Sequence, residues 1–161
     1  MISIINTRRS VRKFTSDTVP EGDIREILEA AMNAPSAMNE QAWQFIVLSG
    51  AVLDQFLAIN RNTPKGAPIG ILVCGDRRTS RDDYYVQDCS AATQNILLAV
   101  HAKGLGSVWT TVFPDARKPV AQLLQLPDHV VPFSFTPIGL PASVPNAKSR
   151  YDGGKIHYNK W

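Results

Sequence analysis

The stretch from Asp88 to Lys103 restricts the fold more than any other part of the chain. Its apolar and small residues, Ala91, Ala92, Ile96, Leu97, Leu98, Ala99 and Val100, cover nearly the whole circumference of a helix. A helix that is apolar all round must be buried on all sides. In a chain of 161 residues, it is therefore either the centre of the core or a helix that also packs against a second subunit. The length fits a single domain over residues 1–161, and 44% hydrophobic against 19% charged residues supports a core without disulfide or metal staples.

Around that helix the sequence predicts a mixture of elements. Ile24, Ile27, Leu28, Ala31 and Met32 recur at helical spacing, giving a helix from Glu21 to Asn33 that Pro35 closes. Trp43 to Leu48 is β-prone and stops at Gly50, and Val52 to Ile59 reads as a short helix. Ile69 to Cys74 reads as a buried strand. Beyond the breakers Gly104 and Gly106, Ser107 to Phe113 is β-prone; Asp115 is a candidate N-cap for a helix carrying Val120, Leu123 and Leu124; Phe133 to Ile138 is the last strand. There is no regular βαβ rhythm and no GxGxxG after a strand, which favours an α+β sheet flanked by helices over a Rossmann domain. The tail from Ala142 has no hydrophobic period, yet Tyr158 and Trp161 are bulk that a free tail would not profit from exposing. Docking onto a surface, the partner's included, is the economical reading.

Composition narrows the function classes. Apolar runs fall short of the ~18 residues that cross a bilayer. The opening MISIINTRRS has its charges after its apolar residues, the reverse of a secretory signal, so the expected location is cytoplasmic. Cys74 and Cys89 sit in apolar settings and read as buried free thiols. The three histidines have no ligand spacing. The net charge of +3 suits an anionic small molecule or a nucleic acid. Helix-turn-helix, RNP and zinc patterns are missing and no aromatics interleave with the basic residues, which argues against a nucleic-acid partner.

Three runs carry candidate chemistry. Arg8-Arg9-Ser10-Val11-Arg12 places three guanidiniums and a hydroxyl where they can grip a phosphate, although a basic run alone is ordinarily a solvated face. In Pro35-Ser36-Ala37-Met38-Asn39-Glu40-Gln41-Ala42-Trp43, the groups of Ser36, Asn39 and Gln41 can read the edge of a planar ring or simply satisfy their own loop. Lys148-Ser149-Arg150 is a second cationic pair. The polar segment Arg77 to Tyr85 reads as a loop rather than a pocket border.

In order, RRSVRKF, PSAMNEQAW, DCSAATQNILLAVHAKGLGSVW, PIGLP and KSR resemble the FMN-dependent nitroreductase family from about Arg8 to Trp161. The resemblance implies a central, mostly antiparallel sheet in an intertwined homodimer with FMN at the subunit interface. It places Arg8, Arg9, Ser10, Arg12, Lys148 and Arg150 at the FMN phosphate end. Ser36, Asn39 and Gln41 would reach the flavin of the other subunit, and Thr111 and Val112 would supply backbone contacts near its reactive nitrogen. No catalytic side chain is required, because FMN carries the chemistry. NADH or NADPH is the implied hydride donor in a ping-pong cycle, with nitroaromatics or quinones as acceptors. Two positions depart from the pattern. Thr110-Thr111-Val112 stands where many members have a glycine-bearing turn, and Ala42 replaces the usual proline before Trp43. The first departure leaves room for a flavin-binding relative with other chemistry, such as flavin breakdown, dehalogenation or oxidation.

Overall fold

Apolar side chains point alternately to the two faces of each long strand, and this alternation builds three layers. The computed structural model describes residues 2–146 and 149–161. Its elements are α1 (Ile2–Thr7), α2 (Glu21–Met32), β1 (Trp43–Ser49), α3 (Gly50–Ile59), β2 (Ile69–Asp76), α4 (Tyr85–Ala102), β3 (Gly106–Ser107), β4 (Thr110–Thr111), α5 (Pro114–Leu123) and β5 (Val130–Gly139). The strands form one sheet in the order β1-β2-β5-β3, with β4 also on β5, and every pairing between them is antiparallel. The expected α+β class, an antiparallel sheet flanked by helices, is what the chain adopts.

On one face Trp43, Ile71, Val73 and Ile138 pack with Ile24, Ile27 and Ala31 of α2 and with Cys89, Ala92, Ile96 and Val100 of α4. On the other, Leu48, Leu72, Cys74 and Phe135 pack with Leu53, Phe56 and Leu57 of α3 and with Ala116 and Val120 of α5. Gly70 belongs in the middle of β2 because the Phe135 ring lies over it. A Cβ there would come within 2.8 Å of Phe135 Cε1 and closer still to Cζ.

Helix α4 is held to both neighbours by polar links as well as by packing. Asn95 Nδ2 donates to Ala30 O at the end of α2 (2.9 Å), and the Thr93 and Ser134 hydroxyls meet at 2.8 Å against β5. Its burial is not complete in one chain: Gln94 is exposed, and Ala91, Leu98 and His101 are half-buried. The helix is thus the centre of the core, as expected, with a strip of its surface left open in the single chain.

Several expectations are corrected. α1 is a helix that periodicity over so short a segment did not reveal. Asp115 is not an N-cap: α5 starts one residue earlier, with Pro114 in the first turn and no side-chain cap. The β-prone run Ser107 to Phe113 is split into β3 and β4, although both pair with β5 in one continuous register. Val112 N–H donates to Phe133 O at 3.2 Å, so even-numbered residues of the run are the hydrogen-bonded ones. Val108 therefore faces Pro137, which has no N–H to give, and the ladder lapses there. The end of the tail is not covered by its own chain, for Trp161 is 100% exposed and Tyr158 83%. Among the described residues no helix is long and apolar enough to cross a membrane.

Candidate functional site

Both ends of the chain converge on α4. The amide of Arg8 still bonds to Ile4 O (3.0 Å), so Arg8 leaves directly from the end of α1. The single hydroxyl proton of Thr7 goes to Ser3 O (2.7 Å), which makes His101 Nε2 on α4 the donor in its 2.9 Å bond to Thr7 Oγ1. This bond pins α1 to α4. Val11 N–H then donates to Ser107 O (2.9 Å), and Ser10 bridges to Ser107 in parallel. Val11 can lie so close to β3 because Gly106 has no side chain; a Cβ there would sit 2.7 Å from Val11 Cγ1. Further on, Thr15 N–H reaches Leu140 O (3.0 Å) and Ala142 N–H reaches Lys13 O (2.9 Å). The chain leaving β5 is thus zipped to the N-terminal segment before the tail begins.

The tail brings Ser149, Arg150 and Tyr151 to a cleft of about 820 Å³ that Thr7, Arg8, Arg9 and Gln94 also line. Arg8 has its pKa lowered, first by burial and then by the positive charges of Arg150 and Arg9. The ion pairs formed by described arginines lie elsewhere, at Arg25, Arg77, Arg78 and Arg81. Like charges crowded without a counter-charge are costly, and an anion in the cleft relieves that cost. The donor set, guanidiniums with a Ser149 hydroxyl beside them, fits a phosphate.

The sequence-predicted cations are not equivalent. Arg9 Nη1 donates to Asn6 O (2.9 Å) and Arg8 O (2.7 Å), so part of its fork is spent on the carbonyls that end α1. Arg12 is exposed, its Nη1 only 3.5 Å from Ser10 O, and neither Arg12 nor Ser10 lines the cleft. Lys148 lies outside the described residues.

The loop carrying Ser36, Asn39 and Gln41 is a tight, hydrogen-bonded turn. Ser36 Oγ accepts from Gln41 N–H (3.0 Å), and Gln41 Nε2 donates to Asn39 Oδ1 (3.2 Å). Met38, Asn39 and Gln41 have φ of 49°, 57° and 52°, a left-handed conformation uncommon outside glycine. Met38, Asn39 and Gln41 are exposed, and this loop does not line the Arg8–Arg150 cleft. Thr111 and Val112 lie in a third place, on β4 and just beyond it. Thr111 O accepts from Asn62 Nδ2 (3.1 Å) beside a cleft of about 680 Å³ lined by Asn60, Asn62 and Phe113. Val112 is fully buried and its amide is taken by Phe133 O. The thiols take no part: burial raises Cys74 to about 12 and also raises Cys89, which keeps both protonated and inert.

The model of the Nitroreductase family matches residues 5–68 and 57–140. The chain belongs to this family. A provisionally named NADH dehydrogenase/NAD(P)H nitroreductase from Methanothermobacter thermautotrophicus is 42% identical, the alignment covering 100% of this chain and 87% of that protein. A solved structure bearing the same name from Bacteroides thetaiotaomicron superposes with a TM-score of 0.94 at 39% identity, over 99% of this chain and 97% of the other. A provisionally named nitroreductase from Desulfovibrio desulfuricans, solved in complex with FMN, superposes with a TM-score of 0.84 at 30% identity, over 99% and 96% of the two chains.

Sequence reasoning did not single out Thr7, Gln94 or Tyr151 of the cleft. A lone threonine, glutamine or tyrosine carries no motif, and only the meeting of α1, α4 and the tail gives them meaning. Asn62 could have been suspected from the polar Asn60-Arg61-Asn62-Thr63 turn, but nothing local points it at β4.

Proposed function

We propose that this nitroreductase-family chain is an FMN-dependent oxidoreductase that takes hydride from NADH or NADPH and reduces flat, electron-poor acceptors such as nitroaromatics and quinones. It works by a ping-pong cycle, as a homodimer with both sites at the subunit interface. The observation that carries the reading is the cluster of Arg8, Arg9 and Arg150, drawn together from opposite ends of the chain with no acidic partner among the described residues. Bound FMN supplies the hydride and electron transfer, which no side chain of the protein can perform.

The residues divide the work of binding. Arg8, Ser149 and Arg150 hold the phosphate, Lys148 is assigned to it by the family resemblance alone, and Arg9 sets the end of α1 from which Arg8 projects. Beyond the lining of the cleft, Arg12 adds positive potential and Ser10 a neutral hydroxyl donor. Asn39 and Gln41 face outward and, with Ser36 bracing their turn, serve the flavin of the partner, which accounts for their absence from the cleft of their own protomer. Of the two residues expected to offer backbone contacts, Thr111 is exposed and takes that part, while the Val112 amide is already engaged and Val112 serves as wall. Support for the dimer comes from the apolar surface left on one chain. Ile2 is 74% exposed, Ile5 54%, Tyr151 81% and Trp161 100%, bulk that a partner would cover.

Anaerobic stopped-flow tests this reading. FMN-loaded protein mixed with NADH or NADPH is expected to lose its flavin absorbance and to regain it when a quinone or nitroaromatic follows. Flavin that neither nicotinamide bleaches would rule out the reductase and turn attention to the other flavin chemistries.

A further inference from the structure

Asp88 stands one turn into α4, 2% exposed, with Oδ1 accepting the Ala37 amide at 2.9 Å. Its other oxygen, Oδ2, is buried and has no hydrogen-bond partner among the described residues. A buried carboxylate with an idle oxygen is a poor choice for stability, since an apolar residue would avoid the desolvation. The helix N-terminus makes the charge tolerable there without giving it a purpose. The purpose is in what Oδ1 touches.

Ala37 opens the turn whose residues Met38, Asn39 and Gln41 are left-handed. Asparagine accepts that conformation readily; methionine does not, and surrounding structure has to impose it. Inside the turn, Asn39 N–H donates to Ser36 O (3.1 Å) and Glu40 N–H to Ala37 O (2.9 Å). Two carboxylates tie it to the body of the protein: Asp88 through Ala37 N–H, and Glu40, which accepts Arg81 N–H at 2.8 Å. Glu40 is itself part of the loop, so Asp88 is the anchor that belongs to a core helix. The same helix presents Gln94 to the phosphate cleft, about 9 Å further along its axis.

We infer that Asp88 is a positioning residue that holds the Ser36–Gln41 loop in its left-handed form, so that Ser36, Asn39 and Gln41 are preset for the flavin of the partner subunit. This rests on the function proposed above, but the loop can be read without any flavin. In the flavin-free protein, Asp88→Ala is expected to speed hydrogen exchange at the Asn39 and Gln41 amides by roughly tenfold or more. Neither amide touches Asp88, and β2 amides should be unaffected. FMN dissociation constants should rise by roughly tenfold or more, because binding must then also order the loop. Asp88→Asn keeps an oxygen for Ala37 N–H and should restore both readouts to within about threefold.

Loop amides that exchange at native rates in Asp88→Ala, or an Asp88→Asn protein as impaired as Asp88→Ala, would overturn the assignment. A loosened loop with native FMN affinity would overturn its link to the flavin. A native chain that binds no FMN would instead sink the functional reading, and with it the purpose given to Asp88.

Discussion

Removing Arg150 should move two properties in opposite directions. In the ligand-free protein Arg150 repels Arg8, whose pKa is lowered first by burial and then by the charges of Arg150 and Arg9. Arg150 itself is exposed, so solvent and salt screen the repulsion to a few tenths of a kcal/mol, about 1 at most. Arg150→Ala should therefore leave the apo melting temperature unchanged or raise it by roughly 1–3 °C. With FMN present the balance reverses. Loss of one charge-assisted contact to a phosphate costs about 1.5–3 kcal/mol, roughly a 10- to 150-fold weaker dissociation constant. Thermal melting of apo protein and a flavin fluorescence titration measure the pair of effects, and added salt should shrink both. An Arg150→Ala protein that melts well below native while binding FMN with native affinity would refute the reasoning, because Arg150 would then be a structural residue.

Other substitutions test the frame around the site. Gly70→Ala drives a methyl into the fully buried Phe135 ring and should cost about 1–3 kcal/mol, seen as a lower urea midpoint. Lys103 Nζ joins α4 to α2 through Asp23 (2.8 Å) and Glu26 (2.6 Å), and these bonds raise its pKa above 10.5. A raised folded pKa means stabilisation that is fully present below 10.5 and lost as pH climbs through the folded value. The urea-midpoint gap between native protein and Lys103→Met should accordingly be steady near neutrality and close only in strong alkali. Mixed dimers of an Asn39→Ala chain with an Arg8→Ala chain should keep one native FMN site of the two, because both defects fall in one site; two weakened sites and no native one would show that each loop serves its own chain.

Much of this architecture was legible in the residues. α2 declares itself by its stripe of Ile24, Ile27 and Ala31, and β2 by an unbroken apolar run with turns at both ends. What stayed hidden depends on partners that lie far off in sequence. Six residues, Ile2 to Thr7, are too few for a periodic signal or a stable isolated helix; the His101 bond and packing on α4 make them one. The gap between β3 and β4 is caused by Pro137, visible only once the register is known. Pro114 displaced Asp115 from the cap because proline is preset for the first turn. The cationic ends were evident as two runs, and their order with the PSAMN run pointed to one phosphate clamp, but which arginine is free for it is decided by the carbonyls at the end of α1. Asp88 was invisible for another reason. An acidic residue in a first helical turn has an ordinary explanation in the helix dipole, and only its bond to Ala37, 51 positions away, gives it another.

Comparing FMN with riboflavin on the native chain probes the clamp most directly, since the two ligands share a ring system and differ in the phosphate. If Arg8, Ser149 and Arg150 grip that group, FMN should bind at least roughly a hundredfold more tightly at low salt, with the advantage eroding as salt rises. Equal affinities at every ionic strength would mean that the meeting of the two chain ends serves something other than a flavin phosphate.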